Sequence, residues 1–271
     1  MRKKTATHES SQSLKTFFLY TALVVTVIII SLSIKLFFVI QQSKFDGQHP
    51  FVLAVATKGK VDKIIAFHPA KSIAVLSITG KPVPLASLGK TLAVPFNGKI
   101  DVLSNVSSDV GVTNLLTDVV LRYNSIKTDV TVYDLLRFIW LSKNIAATSQ
   151  TNESIRLPLD DRKIDEIVSQ LFTDEAIASE NVSIQIINAT NTPGMGIRLE
   201  RVISNMGGNV VAVSTLQKKQ LKSKIEYFGE ETYTLKRVKS MLSFPVSKLP
   251  KETIANIVIT IGEDSKNTNA F

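Results

Sequence analysis

The feature that most constrains this chain is a run of 19 residues without a charge, TFFLYTALVVTVIIISLSI over 16–34, which LFFVI continues to Ile40 beyond a lone Lys35. An α-helix rises about 1.5 Å per residue, so this run matches the roughly 30 Å hydrocarbon core of a bilayer. Lys35 lies near one end, where its alkyl stem can reach the interface. Phe17, Phe18, Tyr20, Phe37 and Phe38 gather toward the two ends, where aromatic rings favour the headgroup layer. Arg2, Lys3, Lys4 and Lys15 precede the run against Glu9 alone, whereas the fifteen residues after Lys35 bring only Lys44 and Asp46. The positive-inside rule then puts 1–15 in the cytoplasm, 16–40 across the membrane and the rest outside. A cleaved signal peptide has a shorter apolar region, about 7–15 residues, and a small-residue cleavage site. FFVIQQ offers no such site, so the sequence predicts an uncleaved single-pass anchor.

Composition then removes most chemistry. The 271 residues hold no cysteine, which excludes disulfides, thiolate metal sites, iron–sulfur clusters and a cysteine nucleophile. Three histidines, His8, His49 and His68, have no helix-turn spacing, so no histidine metal site is expected. Lys+Arg number 32 against 23 Asp+Glu, a net charge of +9. Beyond the span the excess lies in 182–271, where 12 basic residues face 7 acidic ones. Lys218, Lys219, Lys222 and Lys224 form a cluster there, suited to an anionic wall polymer or lipid headgroup if it is more than a solvated loop.

After a polar stalk over 41–50, apolar runs at 51–56, 63–67 and 72–78 read as a meander of adjacent strands. Asn97-Gly98 reads as a two-residue hairpin turn between 92–94 and 100–103. A helix is expected from Val112, carrying Leu115, Leu116, Val119, Val120 and Tyr123 after a cap at Ser108 or Asp109. A second runs over 131–144 with Val132, Leu135, Leu136, Ile139 and Trp140 on one face. A third opens at Asp160 with Ile164, Ile167, Val168 and Leu171, and 147–153 reads as an exposed loop. Residues 173–181 form a boundary. Residues 182–264 then alternate β-α-β-β-α-β, the order of a split βαβ sandwich, and 265–271 is a tail. The fold class is α/β (α+β): a transmembrane helix, a mixed α/β domain over 51–178, and a small sandwich over 182–264.

VSIQIINAT over 182–190, Gly194 and Gly196, Met206-Gly207-Gly208, and IVITIGED over 257–264 look like the LytR C-terminal domain. That family opens with an apolar strand ending in Asn-Gly-Thr, enters a helix through Gly-Leu-Ala and closes on a strand running into Gly-x-Asp. Here Asn188-Ala189-Thr190 and Gly194-Met195-Gly196 take the first two places. The glycines also suit a tight strand-to-helix turn and a left-handed helix stop. The preceding segment is similar in layout to the LytR-CpsA-Psr (LCP) catalytic domain, through Lys60-Val61-Asp62, the strand to Phe67, His68-Pro69 and the strand over 73–78. That resemblance implies transfer of lipid-linked anionic glycopolymers to peptidoglycan, with arginines on a pyrophosphate and acids on magnesium. In this chain Lys60 stands where the family has arginine, and Ile78-Thr79-Gly80-Lys81 replaces Ile-Pro-Arg-Asp. Lysine meets a phosphate as a point charge without the planar fork of arginine. Residues 51–178 therefore read as a degenerate LCP-like domain that has lost transferase activity.

The remaining motifs fail. Gly89-Lys90-Thr91 lacks the earlier glycine of a P-loop, because Pro84 stands there. Asp160, Asp161 and Asp165 read as cap and dipole partners of a helix start. Nucleic acid is excluded as a partner, since the aromatic strand motif of RNA-binding modules is absent. The expected function is a membrane-anchored, extracytoplasmic, non-catalytic binding or scaffold factor in bacterial cell-wall assembly or maintenance. Its candidate binding residues are Lys60, Asp62, Lys81, Lys218, Lys219, Lys222 and Lys224, with no catalytic residue, metal site or cofactor. Its expected partners are the membrane, peptidoglycan or an anionic wall polymer, and envelope proteins. One alternative is an LCP-type phosphotransferase, which alone would bring in Mg2+ and requires Lys60, Asp62 and Lys81 to converge in one apolar pocket. Another is a structural spacer that binds a protein partner.

Overall fold

The computed structural model describes residues 6–69, 71–103, 111–251, 253–267 and 271, and the chain divides into two units, Met1–Ser43 and Lys44–Phe271. The first is a single helix, α1 (Ala6–Gln41), whose stretch Phe17–Gln41 is long and apolar enough to cross a membrane. Leu19, Val25, Ile29, Leu32 and Phe38 are all exposed, on every side of it. A helix that is apolar all round calls for an apolar surrounding. The Thr21 and Thr26 hydroxyls donate to the carbonyls of Phe17 and Ala22 at 2.9 and 2.8 Å, which satisfies both groups away from water. Arg2, Lys3 and Lys4, and the side chains of Glu9 and Lys15, lie outside the described residues.

In the second unit β1 (Phe51–Thr57), β2 (Lys60–His68) and β3 (Ser72–Gly80) form the predicted antiparallel meander, with Phe67 between Phe51 and Ile73. The short β4 (Val83–Pro84) joins β2. Adding β5 (Gly98–Val102), β6 (Ile126–Thr128) and β7 (Gln150–Leu157) gives the order β6-β5-β1-β2-β3-β7. The connecting helices are α2 (Leu88–Leu92), α3 (Val112–Leu121), α4 (Val132–Asn144) and α5 (Asp161–Phe172). On one face Val52, Ala54, Ile64 and Leu76 pack with Leu92, Ile164, Val168 and Phe172 of α2 and α5. On the other, Leu53, Val55, Ile65 and Phe67 pack with Leu116, Leu135 and Phe138 of α3 and α4. Burial of both faces explains why these strands are continuous apolar runs without alternation. The Phe67 and Phe138 rings stack at 4.4 Å between centroids.

Several local expectations change. Asn97-Gly98 turns no hairpin, because 88–92 is helical and β5 runs parallel to β1. Asn97 instead bridges to β1: its amide donates to the Val52 carbonyl and its Oδ1 accepts from the Val52 amide, both at 2.8 Å. The loop expected at 147–153 gives way to β7, which pairs in parallel with β3. Its polar outward residues are those of an edge strand, which by composition resembles a loop. The stalk over 41–50 stops at Ser43, since Phe45 is buried and the amides of Lys44 and Phe45 donate to Asp134 at 3.3 and 3.2 Å. In α4 the single apolar face divides: Leu135 is buried with Phe138 and Leu141, while Leu136 and Trp140 are 51% and 65% exposed. One helix stripe cannot bury every apolar residue this segment carries. The cap expected at Ser108 or Asp109 lies outside the described residues.

A short helix, α6 (Glu175–Glu180), leads into β8 (Ser183–Asn188), α7 (Met195–Asn205), β9 (Asn209–Thr215), β10 (Lys224–Tyr227) and α8 (Tyr233–Leu242). The predicted order holds, with an added strand β11 (Val246–Lys248) before β12 (Ile257–Ile261). The pairing is not split: β8 and β9 are adjacent and parallel across α7, in the order β11-β10-β12-β8-β9. The central β12 is buried at every residue, and Ile184, Ile186, Ile225 and Ile259 meet Leu199, Val202, Leu235 and Val238 of α7 and α8. Beyond β12, Ser265 is buried and Phe271 joins this core.

Candidate functional site

Strands β8, β9 and β12 are mutually parallel, so their C-terminal ends open on one edge of the second sheet. Asn188 closes β8 with its side chain buried: its Oδ1 accepts from the amide and hydroxyl of Thr190 at 3.0 and 2.8 Å, and its Nδ2 donates to the Thr192 carbonyl at 3.0 Å. This is the self-bonded turn that Asn favours. At the end of β12, a Cβ on Gly262 would lie 2.4 Å from the carbonyl carbon of Lys222, so only glycine permits the approach. The Gly262 amide donates to Ser223 Oγ at 2.9 Å, and the Ser223 amide and hydroxyl donate to Asp264 Oδ1 at 2.9 and 2.6 Å. Glu263 reaches across to accept from the Asn191 amide at 2.6 Å.

These bonds clamp the segment 216–223 at both ends. The Leu216 and Gln220 amides donate to the carbonyls of Asn188 and Ala189, and the amides of Glu263 and Asp264 donate to the carbonyls of Gln220 and Leu221. Lys218, Lys219 and Lys222 stand exposed on this fixed loop. Lys224 differs, being half-buried on β10 and paired with Glu226 at 2.9 Å. The sequence offered the lysines and the Asn-x-Thr and Gly-x-Asp residues as unrelated features, and the parallel strands bring them together.

Of Lys60, Asp62 and Lys81, only Lys81 lines a described cavity. Lys81 lines a cavity of about 390 Å3 with Val83, Lys90, Leu157, Asp161 and Ile164 on the α5 side of the first sheet. Lys60 and Asp62 of β2 are not among the residues that line it, and Asp62 is the extra residue where the register of β1 and β2 shifts.

Between the two sheets, Arg201 of α7 forks onto Asp165 of α5 at 2.8 and 3.0 Å and reaches Asp161 at 3.0 Å. Its hydrogen bond with Asp165 raises the guanidinium pKa. Asp160 caps α5 as expected, by accepting from the Arg162 amide, but Asp161 and Asp165 serve the junction rather than the helix dipole. Asn205 donates to Asp165 and to the Ala93 carbonyl at 3.0 and 3.1 Å. Glu180 accepts from the amides of Tyr233 and Thr234 at 2.8 and 2.7 Å, at the start of α8. Burial pushes its carboxyl up, and the bonds from Thr234 and Tyr233 outweigh that, leaving it below its ordinary value.

Near these contacts lies a cavity of about 400 Å3 lined by His49, Pro50, His68, Lys71, Asp174 and Glu175, among others. His49 pairs with Asp46 at 2.5 Å and stacks on Tyr233 at 3.9 Å, while His68 bonds the Leu171 carbonyl at 3.2 Å. The Tyr233 hydroxyl donates to the buried Asp174 at 2.6 Å. Burial, and this carboxylate, raise the phenol pKa. The histidines are distant in sequence, yet the first hairpin sets them together: Phe51 opposite Phe67 puts the residues before β1 beside the end of β2. Among the described residues no group of three or more His, Asp and Glu side chains is placed to hold a metal ion. The cavity offers imidazole, ammonium and carboxylate hydrogen bonds to a polar molecule.

No curated protein matches the chain. A solved structure described as the transcriptional regulator yvhJ from Bacillus subtilis is similar over 40% of this chain and 83% of that one, at 13% identity and a TM-score of 0.30, too distant to carry an argument. Residues 181–264 match the family described as LytR cell envelope-related transcriptional attenuator, over the segment that holds Asn188, Thr190, Gly262 and Asp264. The second sheet and its two helices are thus the segment of this chain that is similar to the LytR C-terminal domain.

Proposed function

We propose that the protein is a single-pass, N-in membrane protein of a bacterium whose unit Lys44–Phe271 faces outward and binds wall material as a non-catalytic scaffold in cell-wall assembly or maintenance. One observation carries the reading: a LytR C-terminal domain presents Lys218, Lys219 and Lys222 on a loop already fixed by its motif residues. A preordered cationic loop loses little freedom on meeting an anionic polymer. On this reading 51–178 is a degenerate LCP-like domain that supports the second sheet through the Arg201–Asp165 contact.

The test is co-sedimentation of residues 44–271 with peptidoglycan sacculi, either carrying their anionic polymer or stripped of it. Binding should depend on the polymer, weaken with salt, and be lost when Lys218, Lys219 and Lys222 are all changed to Glu. Failure of the unaltered protein to sediment with either preparation would reject wall binding and leave the spacer with a protein partner.

A further inference from the structure

We propose that the outward stripe of α4 rests on the lipid headgroup layer of the membrane that anchors the chain, with Trp140 as its interfacial residue. This rests on the membrane-anchor reading above. Tyr133, Leu136, Arg137, Trp140 and Lys143 fall at helical spacing on one side of α4. Leu136 and Trp140 are 51% and 65% exposed, and Lys143 is exposed. The core has no need of them, because Leu135, Phe138 and Leu141 fill the inward side. The one acid of α4, Asp134, is fully buried and holds the amides of Lys44 and Phe45. The outward side therefore combines an indole, a phenol, an aliphatic side chain and cations without a carboxylate. That is the composition of a helix lying in a membrane interface, with its apolar residues about 5–10 Å into the headgroup boundary.

The occupant follows from covalent reach. The apolar span ends at Gln41, and Lys44 is already hydrogen-bonded to the first turn of α4. Three residues of extended chain cover at most about 10 Å, whatever path they take. Trp140 is six residues along the helix from Asp134, or about 9 Å. Arg137 fixes the arrangement from the other side: it donates to the Phe45 carbonyl, and its guanidinium lies 4.6 Å from the Phe45 ring centroid. The start of α4 is thus separated from the end of the span by only three residues of chain, which keeps a headgroup layer within reach of the stripe. Anionic headgroups complement Lys143, and the interface accepts an indole that water does not favour.

The chain has a single tryptophan, so its emission reports this stripe alone. Full-length protein is reconstituted in vesicles of phosphatidylcholine and phosphatidylglycerol. The expected result is emission blue-shifted relative to residues 44–271 in buffer, quenched by lipid brominated near the headgroup and shielded from acrylamide. Lys143→Glu should reduce the shift in vesicles containing phosphatidylglycerol, and Leu136→Ser should reduce it in either lipid. Water-like emission, open to acrylamide and indifferent to brominated lipid, would overturn the proposal. An alkaline wash separates the two readings. Protein released by the wash defeats the anchor and this proposal with it, whereas retained protein with water-like Trp140 defeats this proposal alone.

Discussion

The first sheet is buried on both faces, by α2 and α5 on one side and by α3 and α4 on the other, whereas β8 of the second alternates between buried and half-buried residues. The difference decides what each region can be used for. A strand covered on both sides leaves only its ends and edges for function, and there the first sheet has the cavities lined by His49 and His68 and by Lys81. The second sheet gathers three parallel strand ends on one edge and fastens a cationic loop to them. The same contrast separates the two sets of candidate residues: Lys81 lines a cavity to which Lys60 and Asp62 do not contribute, and Lys218, Lys219 and Lys222 fall on one loop.

The comparison breaks if the two sheets fold independently. Phe138→Ala removes a ring stacked in the first core and should cost about 3–5 kcal/mol, and Leu199→Ala in the second about 2–5 kcal/mol. Because the junction couples the sheets, each should shift one shared urea transition of residues 44–271, seen equally by Trp140 fluorescence and by far-ultraviolet circular dichroism. Two separated transitions would mean that the two cores are energetically independent.

A smaller effect sharpens the point. Asp165→Ala leaves Arg201, whose side chain is 17% exposed, without its fork and Asn205 without one acceptor. The expected loss is about 1–3 kcal/mol, with the two probes beginning to diverge. Asp165→Asn, which retains an acceptor oxygen, should lose less. If Asp165→Ala leaves stability unchanged, the fork contributes nothing to the coupling.

The smallest effect is acid dependence. Glu180 is held below its ordinary carboxyl value in the folded state, so folding favours its ionised form. Its contribution is complete above the unfolded value, near 4.5, and is lost as pH falls through the lower folded value. Glu180→Gln should therefore flatten the acid limb of the urea midpoint against pH. An unchanged limb would show that the bonds to Tyr233 and Thr234 do not favour the ionised carboxylate.

The helices and meander strands were legible because periodicity and apolar runs report local burial. Leu115, Leu116 and Val119, and Ile164, Val168 and Leu171, lie inward as their spacing predicts. Periodicity failed where a residue's fate depends on a distant neighbour. Asn97-Gly98 has the local chemistry of a hairpin, but its strand pairs in parallel with β1. β7 has the composition of a loop, and β3 recruits it at the edge. Leu136 and Trp140 are apolar enough for the core, which Phe138 and Leu141 had already filled. In the candidate site, the lysines and the motif residues were visible one by one, but their meeting on one edge was not.

The sequence alone determined the apolar span, the alternation of strands and helices, and the LytR C-terminal pattern over the last third, since each depends on residues close along the chain. The tertiary structure decided which strands are neighbours, and with that the clamp on the lysine loop, the cavity that joins His49 and His68, and the outward face of α4. The reason is physical: side-chain periodicity fixes which residues seek burial, but many strand orders satisfy it equally well, and only packing the whole unit selects one.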